Sequence, residues 1–596
     1  MRRRYAELLK KWCDGLLRYQ IHGTGNPRLD GGILCPACMV IHGRCQELVY
    51  PLLCLADETG DTCYVKAAKE LFRWGENLLC DDGSMYNDGQ SSWNGITVFS
   101  AISLYEGLTR HGALLVEDES LWKERLHRQG QWIHHNLTVD FQTNINYYAA
   151  CAYAMEALGI YEKNPAYRKH ADEMAEACLR RITPEGFLAG EGKPMDYVTP
   201  RGCRPVDIGY NVEESLPSLI QYALLANNGH ALEQTKKMLL AHLDFMLPDG
   251  GWDNSFGTRN YKWTYWGSRT SDGCQAGYGI WGDEEPVLTE AAWRNFCLYE
   301  ACTHDGLLAG GPDYEAAGEP VCVHHSFSHS RALAAVLDAG TGKRQEAVLP
   351  SECTEGIRYY PSLDTYRVLK GNFIATVTAY DFEYTAGGHA CGGVLSMLWH
   401  RHFGVLAASG MTEYSLCEAH NMQQSRKKEI HRSLTPGIFM RHEGRLFAQW
   451  FDDRCEMKSY EAGERTVIQA SGILRDRLHS PLEDKGGWRA RYYFGEHSVT
   501  MQLKTERDCE FVFPLTAGKL RIHREGENRF RIGKGERMLL IDCSQAASSA
   551  NRIFNLVPGL QAWEIKTKIP AGCLIEFSIS EVMTSNEEAQ KLAGKS

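Results

Sequence analysis

The 596-residue chain contains no uninterrupted apolar run long enough to span a bilayer. Its first stretch, MRRRYAELLKKWCDGLLRYQ, is basic at the start but lacks the continuous apolar core of a signal peptide, and reads as an amphipathic helix. Positive charge is in short supply: 64 Lys and Arg face 75 Asp and Glu, a net of −11 at pH 7. That balance argues against a nucleic-acid binder with its basic stripe. It leaves an anionic sugar open, because a local cluster of cations can hold one carboxylate within an acidic protein. There is no G-x-S-x-G elbow, Walker loop or H-E-x-x-H, and no G-x-G-x-x-G opening a βαβ unit. Serine hydrolysis, phosphoryl transfer and dinucleotide chemistry lose support accordingly. The 21 cysteines form no short disulfide framework, so reduced core thiols in a cytoplasmic protein are expected.

What is present is ordinary globular composition, 43% hydrophobic and 23% charged, in a chain long enough for two large domains. Helical spacing predicts helices over 43–58, 62–79, 95–112, 118–136, 146–159, 165–182, 213–226, 231–246, 287–303 and 326–339. Alternate connections are short turns, while 80–94, 137–146, 183–212, 247–286 and 304–325 are long and rich in Gly, Trp, Tyr, Asn and Asp. Such alternation describes an incomplete ring of paired helices, an α/α toroid over 1–340, with its chemistry on the long-loop face. A connector over 341–364 follows. From 365 to 583, alternating β-rich runs such as 373–384, 465–474, 490–503 and 509–515 predict an antiparallel β-sandwich, and 584–596 a frayed polar tail. The fold class is thus α+β multidomain.

The most distinctive stretch is LPDGGWDNSFGTRNYKWTYWGSRTSDGC, residues 247–274. No helical or strand period fits it, and its glycines and Pro248 mark it as loop. Aromatic rings can stack on sugar CH faces while fixed charges bind hydroxyls and carboxylates, which makes Trp252, Arg259, Trp263, Trp266 and Arg269 binding candidates, with Tyr261 a catalytic candidate beside them. The competing reading is a self-packed loop whose aromatics plug the core. Trp93, before the helix at 95, is a further stacking candidate.

Asn146 and Tyr147 open a smooth apolar helix. Asn146 fits an N-cap, and equally an amide that donates to a substrate carboxylate. Asn211 and Glu214 fit the capping-box spacing, which leaves Tyr210 unexplained and a candidate acid/base. His324 and His325 precede the last predicted helix, where Ser326 or Ser328 would cap, and could move protons near neutral pH. Cys35, Cys38, His42 and Cys45 offer C-x2-C-x3-H-x2-C. That spacing is tighter than common zinc knuckles, so zinc is disfavoured and no cofactor is expected. His42 and Arg44 then read as an anion-holding pair. His389, His400 and His402 lie near a Gly-rich turn and the WHRHFG run, where strand-edge histidines are usually neither ligands nor catalysts.

On these residues the chain resembles the toroid-plus-sandwich polysaccharide lyases: hyaluronate/chondroitin lyases, alginate lyases and the heparinase II/III superfamily. Asn146-Tyr147 is similar to the Asn-aromatic pair those enzymes use to neutralise a uronate carboxylate. Tyr210 with His324 or His325 is similar to their Tyr/His acid–base couple, and Arg269 to a supporting arginine. HGRC and the 247–274 loop match no lyase signature. The resemblance implies β-elimination: the C5 proton of a uronic acid is removed and the C4 glycosidic oxygen expelled, with Asn146 and Arg269 or Arg44 stabilising the enolate-like charge. A tyrosine ordinarily titrates near 10, so a base at Tyr210 requires neighbouring cations in an electropositive pocket. The alternative is an exo-acting, β-glucuronidase-like hydrolase with a carboxylate pair drawn from Asp253, Glu214, Asp88 and Asp272. A non-catalytic sugar-binding protein is the third reading. The expected partner is an anionic oligosaccharide, with no nucleic acid or membrane, and self-association into a homo-oligomer is left open.

Overall fold

A computed structural model describes residues 1–583 apart from 90, 142, 264, 266, 268, 341–342, 354, 413–416, 419–420, 423–431, 517–519 and 535. The predicted tail 584–596 and Trp266 therefore lie outside the described residues. The helical half is a chain of antiparallel hairpins: Val49–Thr59 with Thr62–Trp74, Thr97–His111 with Glu119–Asn136, Ile145–Tyr161 with Pro165–Leu179, and Leu216–Leu225 with Gly229–His242. Asp61, Asn164 and Asn228 accept a backbone N–H at the start of the second helix of three of these pairs, which fixes the short turns read from the sequence. The first helix, Arg2–Leu17, lies against the last, Val323–Ala339, and Trp12 Nε1 donates to Thr303 across this closure at 2.9 Å. No helix among the described residues is long and apolar enough to cross a membrane.

Two helix starts differ from expectation. The segment predicted as helix from residue 43 begins as a 3₁₀ turn, Gly43–Leu48, before Val49–Thr59. The last helix begins at Val323 with Cys322 as N-cap, so His324 and His325 fall in its first turn and neither Ser326 nor Ser328 caps it.

Among the described residues the second half is antiparallel, in sheets of eight, five and five strands. The sheet built from Gly356–Tyr360, Thr365–Lys370, Phe373–Thr378, Val394–His400 and Gly404–Ala408 is the inner layer. Its first strand lies in the stretch read as connector. Phe373–Thr378 and Val394–His400 are buried at every position. The reason is that Ile374, Met397 and Trp399 join the toroid core while Phe373, Ala375, Leu395 and Leu398 join the sandwich core. The run 490–503 is two strands, Gly487–Phe494 and Ser498–Thr505, reversed at 495–497.

The loop 247–274 is wedged between the toroid and this inner sheet. Trp252, Phe256, Tyr261 and Trp263 are fully buried. Trp399 Nε1 and Tyr265 donate to Asp249 at 2.7 and 2.9 Å, Ser255 donates to Ser396 at 2.8 Å, and Thr376 donates to Asp253. The plug reading of this loop therefore describes its aromatic residues, and its cations have a different fate.

Candidate active site

A cleft of about 190 Å³ opens where the long toroid loops meet the sandwich. Four of the five long loops reach it: Asn87 and Trp93 from the first, Thr143, Asn144 and Asn146 from the second, Lys193 and Tyr210 from the third, and Arg259, Lys262 and Thr270 from the fourth. Arg44 and Glu214 line its base, and Tyr384, Glu418 and Asn421 come from the sandwich. Among the described residues, four cations and two carboxylates thus line the cleft of a chain whose net charge is −11, as expected of a site for a uronate.

Tyr210 owes its position to an irregular helix start. Asp207 caps Ile208–Tyr210 by accepting the Tyr210 N–H at 2.9 Å. The chain then widens into a π-turn, Asn211–Ser215, before Leu216–Leu225. Asn211 and Glu214 are therefore not a capping box. Asn211 donates to Leu188 O at 2.8 Å and bonds His242, while Glu214 is turned to the cleft together with Tyr210. Such π-turns re-aim side chains at functional sites. Gly209 permits the arrangement, because a Cβ there would fall inside the buried Trp263 indole.

The Tyr210 hydroxyl shares a hydrogen bond with Thr270 Oγ1 at 2.7 Å and receives one from Lys262 Nζ at 3.4 Å. The Arg259 guanidinium lies 4.5 Å from the ring centroid. Both cations are fixed from below: Arg259 by Glu191 at 2.7 Å, and Lys262 by Glu418 at 2.5 Å. Burial pushes the Glu191 carboxyl up to about 7 against the pull of Arg259. Burial acts the same way on Glu418, but Lys262 and Arg259 outweigh it and hold that carboxyl below its ordinary range. Lys262 thus stands at the phenolic oxygen and Arg259 over the ring.

Glu214 belongs to a buried cluster. Arg44 forks onto Glu47 at 2.7 and 2.9 Å and reaches Asp272 at 2.9 Å, Arg331 reaches Asp272 at 2.9 Å, and Glu214 sits 3.9 Å from Arg44. Two guanidiniums against three carboxylates give 2 − 3 = −1, and one bound proton makes the cluster neutral. Glu47 and Asp272 are saturated by arginine, whereas neither Glu214 oxygen has a hydrogen-bond partner among the described residues. Burial, then the Asp272 charge, raise the Glu214 carboxyl well above its ordinary value. Glu214 is the carboxylate of this cluster with no arginine in hydrogen-bond reach, and it faces the cleft.

Asn146 is the second residue of Ile145–Tyr161, whose N-cap is Asn144, so capping does not account for it. Its amide lines the cleft with Oδ1 unpartnered among the described residues. Tyr147 and Trp93 line it as an edge-on pair 5.4 Å apart, with Trp93 Nε1 donating to the Tyr147 hydroxyl at 2.9 Å.

Other candidates lie elsewhere. Trp252 and Trp263 are core residues, not stacking surfaces, because the toroid and inner sheet close over both. Asp253 is held by Ser255 and Thr376 away from the cleft, so the hydrolase pair of Asp253 and Glu214 is not assembled. Asp272 is spent on Arg44 and Arg331. Tyr261 donates to Glu418 at 2.5 Å and supports the cleft from behind. No histidine lines the cleft among the described residues. His324 is buried beside Phe327, its rings 4.4 Å apart, and His325 lines a small neighbouring cavity with Tyr261, Lys262 and Arg269. His42 and Arg269 meet Cys38 and Cys322 behind the cleft, and Cys45 packs into the core apart from them. His389 bonds Tyr380 O, and His400 is buried against Phe373. Lys193, Lys262, Thr270, Tyr384, Glu418 and Asn421 were not expected. Lys262 had a local signal, as a cation between Tyr261 and Trp263, but the sandwich residues had none.

Residues 9–352 match the ulvan lyase N-terminal domain, and 357–581 the ulvan lyase C-terminal domain. A broad-specificity ulvan lyase of Formosa agariphila is 37% identical over 585 residues, covering 94% of this chain and 91% of that protein. Heparinase III is similar in structure, with a TM-score of 0.56 and 12% identity, covering 98% of this chain and 86% of its own. That likeness concerns the fold, a helical toroid followed by antiparallel sheets. The chain belongs to the ulvan lyase family and is a polysaccharide lyase, cleaving a glycosidic bond beside a uronic acid by β-elimination.

Proposed function

We propose that this lyase cleaves ulvan, a polysaccharide containing uronic acids, and that Tyr210 moves the proton. The substrate reading rests on the relative from Formosa agariphila and on the four cations of the cleft. The site reading rests on one observation: the Tyr210 hydroxyl accepts from Lys262, with Arg259 over its ring, in the same cleft as Asn146 and Glu214. With charge on its oxygen stabilised by Lys262, Tyr210 takes the C5 proton. The Asn146 amide and the protonated Glu214 donate to the uronate carboxylate, where negative charge develops. The C4–O bond then breaks, its electron pair leaves with oxygen, and Tyr210 returns the proton to that oxygen. Trp93 and Tyr147 form the wall against which a sugar ring packs.

The test follows ultraviolet absorbance and new reducing ends together, on ulvan and on other uronate polymers. Elimination raises both, through the conjugated C4–C5 double bond. Tyr210→Phe and Asn146→Ala are expected to lose activity by about 10²-fold or more while keeping wild-type circular dichroism. Wild-type turnover in both variants would remove the site assignment, and activity confined to a different uronate polymer would remove ulvan alone. The 21 cysteines are scattered along the chain without a short disulfide framework, which supports a reducing compartment and short imported fragments as substrate. Cell fractionation tests that location.

A further inference from the structure

Behind the cleft, three sulfurs and an imidazole converge from two ends of the helical domain. Cys35 Sγ lies 3.7 Å and Cys38 Sγ 3.9 Å from Cys322 Sγ, and His42 Nε2 lies 3.7 Å from the same sulfur. All four donor atoms fall within 4.8 Å of one another. These separations decide between two chemistries. A disulfide requires sulfurs about 2.05 Å apart. Two thiolates each about 2.3 Å from a tetrahedral zinc ion lie about 3.8 Å apart, and a thiolate and an imidazole nitrogen about 3.6 Å apart. The observed spacings are the edges of that tetrahedron.

The surroundings fit a thiolate-bound cation as well. The Cys38 N–H donates to Cys35 Sγ at 3.3 Å across the Cys-x2-Cys turn, which favours a charged sulfur. The buried Arg269 guanidinium reaches Cys38 Sγ at 3.4 Å and Cys322 Sγ at 3.9 Å. A divalent ion with three thiolates and a neutral imidazole carries 2 − 3 = −1, and the arginine brings the sum to zero. Cys35, His42 and Cys322 are buried, so a full set of protein donors would close the shell with no place for substrate.

We propose that Cys35, Cys38, His42 and Cys322 bind one structural zinc ion that ties the 35–42 loop to the N-terminus of the last toroid helix. Sequence spacing alone placed Cys45 in the set, but Cys322, 280 positions after His42, takes the fourth corner. The ion would brace the catalytic cleft indirectly, since Gly43–Leu48 follows His42 at once and carries Arg44 to the base of the cleft.

Elemental analysis of the purified full-length protein tests this. About one zinc per chain is expected, dropping at least tenfold in Cys322→Ser and Cys38→Ser and unchanged in Cys45→Ser. Where a ligand variant fails to fold, the wild-type protein is stripped with chelator and titrated with Co²⁺. Sulfur-to-cobalt charge transfer with visible tetrahedral bands, reversed by Zn²⁺, supports the site. Zinc retained equally by Cys322→Ser would mean the metal sits elsewhere. Metal-free protein that gives no such cobalt spectrum, or a mass lower by two hydrogens with Cys322 disulfide-linked, would overturn the proposal.

Discussion

Replacing Glu214 by glutamine separates two chemistries that its position alone would allow. The side chain is 1% exposed, so solvent screening is minor. Its carboxyl is raised by burial and by Asp272. A carboxyl whose folded value lies above its unfolded value of about 4.3 contributes stability that is whole below that pH and is lost as pH rises toward the folded value. The wild type should therefore lose stability relative to Glu214→Gln as pH rises above that unfolded value, by no more than about 1.4 kcal/mol per pH unit. Subtracting one protein's denaturant-derived stability from the other's at each pH cancels the remaining carboxyls. Catalysis is the second readout. An amide N–H replaces the acid's O–H as donor to the uronate, so Glu214→Gln should keep activity within about tenfold, whereas Glu214→Ala should lose about 10²-fold or more. A folded Glu214→Gln as inactive as Glu214→Ala, with a stability difference flat in pH, would show that Glu214 works as a charged carboxylate and refute the charge count of its cluster.

Other perturbations follow from the same contacts. Gly209→Ala drives a Cβ into the Trp263 indole, and overpacking of this kind costs about 1–3 kcal/mol; thermal melting should show the loss, and turnover should fall as the neighbouring Lys262 shifts. Lys262→Met removes the cation nearest the Tyr210 hydroxyl and should lower kcat about 10–100-fold, more than it raises KM, in the absorbance assay. Glu191, raised to about 7, loses its stabilising contribution as pH climbs through that value. The melting temperature of wild type should therefore fall relative to Glu191→Gln from about pH 5 to about pH 7 and run parallel above. A constant offset across that range would show Glu191 ionised throughout.

Local patterning carried the architecture. Apolar residues at helical spacing, capped turns at Asp61, Asn164 and Asn228, and alternation beyond 365 are properties of a few neighbouring residues, so they determine helices and strands wherever the chain goes. The alternation of short and long connections likewise marked the face that holds the cleft, and Asn146, Tyr210, Glu214, Arg44, Arg259, Trp93 and Tyr147 all line it. The tertiary structure decided which member of each ambiguous set is used. Trp252 and Trp263 have the composition of a sugar platform, yet the inner sheet covers them, and among the described residues of that loop only Arg259, Lys262 and Thr270 reach the cleft. Tyr384, Glu418 and Asn421 enter the site by docking of the sandwich, and Cys322 meets Cys35 by closure of the ring. Neither event leaves a periodicity or a spacing in the sequence, because the distances that matter there join residues hundreds of positions apart.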